Sequence, residues 1–247
     1  MEFDNNEHFY PDLRNCTVAI IGLGYVGLPL AVQLAKKQKC FLTGKNLNRK
    51  IIGFDIDENR IAELRNCFDR TKEISKNELL NIDFHELTSD IKKLTAADVF
   101  IITVPTPIDN ENKPNLDALK SATKKVAKAL KIKKESSFKL DISIVPVVIY
   151  ESTVYPGTTE EICIPLIERE SGLVCDDFKN KKVFSCGYSP ERINPGDKEH
   201  KITNVIKVTS GSNKKVSIWI NDFYGSIIKS GTYMAESIKV AEAAKII

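Results

Sequence analysis

An α/β fold, a doubly wound parallel sheet, is predicted by three observations. An apolar run breaks at a glycine-rich turn and resumes as an amphipathic helix; short apolar strands then alternate with helical patterns; and the polar loops fall at the carboxyl ends of those strands. The first observation carries the most information. Val18–Ile21 is an unbroken apolar run, as expected of a strand buried on both faces, and Leu30, Ala31, Leu34 and Ala35 repeat at helical spacing. Between them lie Gly22, Gly24 and Gly27 in the pattern G-x-G-x-x-G. The first glycine permits a tight turn, the second lets a pyrophosphate approach the backbone, and the third lets helix and strand pack closely. The helix N-terminus then offers free N–H groups and partial positive charge. Such a motif also serves ordinary turns; its place between a buried strand and a helix points to a dinucleotide site of the Rossmann type.

Composition narrows the classes. The 247 residues are 42% hydrophobic and 28% charged, with a net charge of +3, which fits an ordinary globular chain with a substantial core. That charge is too small, and too scattered, to argue for nucleic acid. Met1–Asn15 is polar and mixed in charge, unlike a signal peptide, and the most apolar stretch, Ile142–Tyr150, is interrupted by Pro146 and too short to span a bilayer. No membrane partner and a cytoplasmic location are therefore expected. The six cysteines (Cys16, Cys40, Cys67, Cys163, Cys175 and Cys186) lack metal-ligand spacing, so reduced, mostly buried thiols and no metal are expected.

Taken in order, the elements place polar groups along one edge. Lys36–Lys50 reads as a polar insertion that delays the second strand, Ile51–Asp55. Asp55, at that strand's end, suits the hydrogen bonds that an adenosine ribose donates, and its charge disfavours a 2′-phosphate, so NAD is expected over NADP. Its distance from the glycines exceeds the usual separation of about 20 residues, which the insertion accounts for. The same aspartate could instead cap the helix that begins near Asp57. Ile61–Ile82 is helical and charged. Ala97–Val104 is the next strand and runs into Pro105-Thr106-Pro107, which either presents Thr106 to a ligand or makes a rigid turn. Asn115–Leu130 follows as a helix, Lys131–Lys139 as a charged connector and Ile142–Ile149 as a strand. Glu151–Thr159 leads into a helix with Thr158 and Glu161 at capping-box spacing. Val183–Gly187 is a further strand. The loop after it carries Glu191 and Arg192 side by side, a base and a bidentate anion binder, or a surface pair. Ile206–Thr209 reads as a strand, and Val216–Ile228 and Met234–Ile247 as helices, the last without a stop signal. A dinucleotide-binding domain over 1–212 is expected, with 213–247 starting a central helical region.

In combination the motifs resemble the N-terminal part of the UDP-glucose/UDP-N-acetylhexosamine 6-dehydrogenase family. The resemblance rests on G-L-G-Y-V-G-L-P-L (Gly22–Leu30), V-P-T-P (Val104–Pro107), Y-E-S-T-V-Y-P-G (Tyr150–Gly157), Y-S-P-E-R-I-N-P-G-D (Tyr188–Asp197) and K-V-A-E-A-A-K (Lys239–Lys245). The P-E-R-I-N-P-G form is similar to the branch that acts on UDP-N-acetylhexosamines, including Vi-antigen and capsule dehydrogenases. The UDP-glucose branch usually has a second glutamate where this chain has Pro195.

The resemblance implies NAD-dependent oxidation of the sugar C6 hydroxyl to a carboxylate, in two steps and four electrons, through a cysteine thiohemiacetal and thioester. It implies cofactor roles for Tyr25, Val26, Asp55, Arg60, Val104, Thr106 and Thr153, with Thr153 also at the reacting centre. It implies that Glu191 helps hydrolyse the thioester, that Arg192 and Ile193 line the sugar site with Glu191 and Lys245, and that Lys245 stabilises negative charge or shuttles a proton. A homodimer or higher oligomer is implied for the full-length family.

One departure bears on activity. In the family the last helix continues to an asparagine four positions after the lysine and on to a half that carries the nucleophilic cysteine, and none of the six cysteines here has that context. The resemblance therefore implies a chain shortened before its nucleophile, incapable alone of the complete oxidation, with an association-prone last helix. A non-catalytic NAD-binding fragment or partner, and a single-step NAD-dependent hydroxyacid dehydrogenase, are the alternatives.

Overall fold

The computed structural model describes residues 10–109, 111, 113–137, 144–178, 182–191 and 203–246. Its centre is a nine-stranded sheet: β1 (Thr17–Ile21), β2 (Lys50–Phe54), β3 (Glu86–Thr88), β4 (Val99–Ile102), β5 (Val147–Tyr150), β6 (Val174–Cys175), β7 (Val183–Tyr188), β8 (Lys207–Gly211) and β9 (Thr232–Met234). The order is β3-β2-β1-β4-β5-β7-β8-β9, with β6 beside the start of β7. All pairings are parallel except β7 with β8, where Tyr188 faces Ser210. The order reverses between β1 and β4, so a crevice opens at their carboxyl ends, the usual ligand position in open α/β sheets.

Alternate residues of each strand feed two cores. Ala19, Ile21, Ile52, Phe54, Phe100, Ile102, Val148 and Tyr150 face one layer. There they meet α4 (Asp117–Ser137), α5 (Ile164–Ser171) and α7 (Ile238–Ile246). Val18, Ile20, Ile51, Val99, Ile101, Val147 and Ile149 face the other, against α1 (Gly27–Ala35), α2 (Glu58–Arg65) and α6 (Lys214–Gly225). Each fully buried aliphatic or aromatic side chain contributes about 1.5–3 kcal/mol to this three-layer arrangement.

Three local expectations are corrected. The helical reading of Ile61–Ile82 is interrupted: α2 ends at Arg65, Cys67 and Lys72 adopt positive φ, and α3 (Lys76–Leu80) starts on a Ser75–Glu78 capping box. Asp69 dictates the break, its carboxylate accepting the N–H groups of Thr71, Glu73 and Ile74. Lys131–Ser137 is helix rather than connector. Lys133 anchors that extension on the Ala97 carbonyl and the Asp98 carboxylate, and Lys134 on the Gly172 carbonyl. No capping box forms at Thr158. Its hydroxyl donates to the Tyr155 carbonyl (2.7 Å), Glu161 pairs with Lys239 (2.8 Å), and the chain enters α5 through a π turn at Thr159–Cys163. The polar insertion is docked on the second layer. Arg49 donates to the Leu13 carbonyl and to Ser226 Oγ (both 2.7 Å), with its guanidinium 4.3 Å from the Phe223 ring centre.

Packing is continuous across residue 212, where the sequence suggests a boundary. Val216, Trp219, Ile220 and Phe223 of α6 complete the second core, and β9 pairs with β8. Trp219 Nε1 also donates to the Pro11 carbonyl (2.9 Å). In α7, Ile238 and Ala241 are buried in the first core, and Val240 is exposed. Among the described residues no helix is long and apolar enough to cross a membrane.

Candidate functional site

The glycine turn is locked from three directions. Gly22 has φ +97°, a conformation that favours glycine, and its N–H donates to the Phe54 carbonyl (2.8 Å). A Cβ on Gly27 would lie 1.9 Å from the Gly22 carbonyl oxygen and 2.4 Å from Thr103 Oγ1, so only glycine brings α1 this close to β1. A Cβ on Gly24 would meet nothing within 4 Å and would project into open space. The three glycines thus divide the labour as the motif predicts: a turn, an open face and a close contact. Tyr25 is exposed beside that face, and among the described residues the N–H groups of Tyr25 and Val26 have no acceptor. Neither side chain caps α1. The turn thus has the free N–H groups and the open face at Gly24 that an anion cradle requires.

Asp55 and Arg60 serve this turn from β2 and α2. Asp55 accepts the N–H of Leu23 (2.8 Å) and of Asp57 (3.0 Å), while Asp57 itself caps α2 by accepting from Asn59. Asp55 is partly exposed at its strand end and ties the turn to β2. Arg60 is buried. Its Nε donates to the Leu23 carbonyl (2.9 Å) and its Nη2 to Asp69 (2.7 Å). It holds the turn from behind, as a support, while Asp55 holds it from the side.

Hydroxyls stitch the neighbouring strand ends. Thr103 Oγ1 donates at 2.8 Å to the Gly22 carbonyl, and Ser152 Oγ donates to the Val104 carbonyl (2.6 Å). Thr106 donates to the Thr153 carbonyl. The turn after β4, with Val104 and Thr106, is thereby bound on one side to the glycines and on the other to Thr153, which is exposed at the edge.

Beyond β5 the character changes to buried charge. Glu151, fully buried, accepts from Lys207 Nζ (2.8 Å) and from the Tyr224 hydroxyl. The same ammonium lies 3.5 Å from the Glu191 carboxylate and 5.3 Å from the Tyr224 ring centre. Burial pushes the Glu151 carboxyl up, more than the neighbouring Lys207 pulls it down. At Lys207 burial acts downward, and the two carboxylates outweigh it, so its ammonium titrates above its ordinary range. The lysine is therefore charged at neutral pH.

The last helix is attached by a similar device. Glu242, fully buried, accepts the N–H of Gly157 (2.6 Å) and of Thr159 (2.9 Å), placing a carboxylate at the start of the π turn. Lys245, three residues on and on the same helix face, follows from that anchor and is half-buried. Arg192 and Ile193 lie outside the described residues.

Thr103, Glu151, Lys207, Tyr224 and Glu242 are not singled out by sequence reasoning. A signal exists for two of them, since Glu151 and Lys207 are opposite charges adjoining apolar strands. Their pairing across 56 residues is visible only in the fold.

Of the cysteines, Cys16, Cys40, Cys163 and Cys186 are buried. Burial pushes Cys16 up to about 11 and Cys163 and Cys175 up to about 12, and raises Cys186 well above its ordinary value, which keeps these thiols protonated. At Cys40 burial also acts upward, and hydrogen bonds from Thr43 and the Leu42 N–H outweigh it and lower the thiol. Cys40 lies in the loop between α1 and β2, at the opposite edge of the sheet from the glycine turn.

Residues 16–228 match the model of the UDP-glucose/GDP-mannose dehydrogenase family, NAD binding domain. The chain belongs to this family. NAD is accordingly its cofactor, and the glycine cradle fits it. A UDP-N-acetyl-D-glucosamine 6-dehydrogenase of Pseudomonas aeruginosa is 46% identical over 95% of this chain and 49% of its own length. Protein CapL of Staphylococcus aureus is 47% identical over 94% and 48%. A solved UDP-D-ManNAc dehydrogenase of Pyrococcus horikoshii superposes with a TM-score of 0.74 at 26% identity, over 93% of this chain and 49% of that one. The chain spans about half the length of the curated relatives it matches.

Proposed function

We propose that this chain is the cofactor-binding half of an NAD-dependent dehydrogenase that oxidises C6 of a UDP-N-acetylhexosamine from alcohol to carboxylate, for capsule or surface polysaccharide. The observation that carries this reading is the 46% identity to a UDP-N-acetyl-D-glucosamine 6-dehydrogenase across nearly the whole chain. When bound, NAD supplies the hydride acceptor.

In this reading Gly22, Gly24, Tyr25, Val26 and Gly27 hold the pyrophosphate, and Asp55 meets the ribose hydroxyls, with Arg60 fixing the turn behind them. Val104 and Thr106 bound the crevice on its other side. Thr153, exposed where β5 ends, presents a hydroxyl between cofactor and sugar. Lys245 offers an ammonium to the developing negative charge at C6 oxygen, and Glu191 takes a proton from the water that releases the acid. Arg192 and Ile193 complete the sugar side. The thiolate that covalent chemistry needs comes from the part of the relatives that this chain does not span. Assembly as a homodimer or higher oligomer, and a cytoplasmic location, complete the proposal.

The test is NADH formation from NAD with UDP-N-acetylglucosamine, UDP-N-acetylgalactosamine and UDP-glucose. It is run on this chain alone and on this chain fused to the C-terminal half of the Pseudomonas relative. The expected result is NAD binding without NADH for the chain alone, and two NADH per UDP-N-acetylhexosamine for the fusion. A folded, NAD-binding fusion that prefers UDP-glucose would overturn the reading.

A further inference from the structure

The interior beneath the β5–β8 strand ends holds two carboxylates and one ammonium. Lys207 leaves β8 and reaches Glu151, from β5, at 2.8 Å and Glu191, from the segment after β7, at 3.5 Å. Lys207 and Glu151 are almost wholly inaccessible to solvent, with side-chain exposures of 4% and 0%, whereas Glu191 keeps 11%. The cluster is therefore graded from interior to surface. Glu151 is satisfied twice, by Lys207 and by the Tyr224 hydroxyl from α6. Lys207 is braced by the Tyr224 ring as well. Of the three, Glu191 keeps the most side-chain exposure.

A buried ion cluster seldom contributes more stability than apolar packing of the same volume would, so its presence calls for another account. Lys207 stands on the β8 segment that pairs with β9, whereas Glu191 follows Pro190 in a segment without regular structure. A strand thus supplies the charge to a carboxylate that lies three residues past the end of β7.

We propose that Lys207 is a positioning residue: its ammonium, braced from beneath by Glu151 and Tyr224, holds the Glu191 carboxylate in a fixed orientation. This rests on the dehydrogenase reading only for what Glu191 then does, namely accept a proton from water. The geometry that holds Glu191 stands independently of it. Glu151 has a tuning role, because it competes for the same ammonium.

The test is a carboxylate titration of the 247-residue chain, labelled with ¹³C in glutamate side chains. The Glu191 signal is identified by its loss in Glu191→Gln. In Lys207→Met the Glu191 midpoint is expected to rise by about one to three pH units, the usual effect of removing an adjacent opposite charge. Lys207→Arg is expected to return it towards the wild-type value. A folded Lys207→Met chain whose Glu191 midpoint is unmoved overturns the proposal, because a purely structural lysine would alter stability and leave that titration alone.

Lys207→Met can fail to fold, since it strands Glu151, so Glu151→Gln provides a second reading. It keeps the shape, frees the ammonium for Glu191, and is expected to lower the Glu191 midpoint; no change there overturns the proposal too. The two readings fail separately. A midpoint that moves as expected in an enzyme half whose fusion does not oxidise UDP-sugars leaves the positioning intact and removes the dehydrogenase reading.

Discussion

The β1–β4 end of the ligand edge is assembled from backbone and hydroxyl groups, whereas the β5–β8 end is assembled from buried ions. At the first end the glycines set the distances, and the charged residues Asp55 and Arg60 act on the backbone of Leu23. At the second, Glu151, Lys207 and Glu191 act on one another. A site for a polyanion needs many N–H groups and little net charge of its own. A site for proton transfer needs few groups, held with their charges defined. The difference also separates two kinds of fragility, steric at one end and electrostatic at the other.

The largest effect is expected where charge is buried. Lys207→Met leaves two carboxylates without their shared cation and should cost about 3–5 kcal/mol in urea unfolding. The double variant Lys207→Met/Glu151→Gln should recover a large part of that loss. Equal losses in single and double variants would mean that the lysine stabilises through its stem alone, which would erase the contrast between the two ends.

At the other end Gly27→Ala drives a methyl into the Gly22 carbonyl and should cost about 3 kcal/mol, with NAD affinity falling as the turn shifts. A neutral Gly27→Ala would show that α1 is free to slide, and that the turn is not sterically set.

The smallest effect belongs to the support behind the turn. Hydrogen bonds to Asp69 from Thr71, Ile74 and Arg60 outweigh the upward push of burial, and its carboxyl is held below the ordinary 3.8. A carboxylate with a lowered folded-state value stabilises above its unfolded value and loses that contribution as pH falls through the folded one. Asp69→Asn should therefore cost about 1.5 kcal/mol at neutral pH, measured by urea unfolding. The gap should close as pH drops below 3.8, and a gap that persists in acid would assign the effect to shape.

Legibility in the sequence follows the same division. The glycine turn, Asp55 and Thr106 are readable because each depends on neighbours within a few residues or on a strand end. Alternation of apolar runs likewise foretells the parallel sheet. The antiparallel β7–β8 step and β9 are not foretold, since a three-residue stretch of mixed polarity beside a turn carries no directional information. The missed capping box at Ser75 was legible in its spacing. The expected one at Thr158 had the right spacing, but Glu161 is drawn to Lys239 and Glu242 takes the free N–H groups. Glu242 and Lys207 look like solvated charges in a helix and a strand, and only the fold buries them.

The most direct measurement is a calorimetric titration of NAD into the wild-type chain and into Gly24→Val. Because Gly24 faces open space, the variant should unfold at the same urea concentration as the wild type and lose NAD binding. A folded wild-type chain that does not bind NAD, or a Gly24→Val chain that binds it equally well, would contradict the placement of the cofactor on this turn.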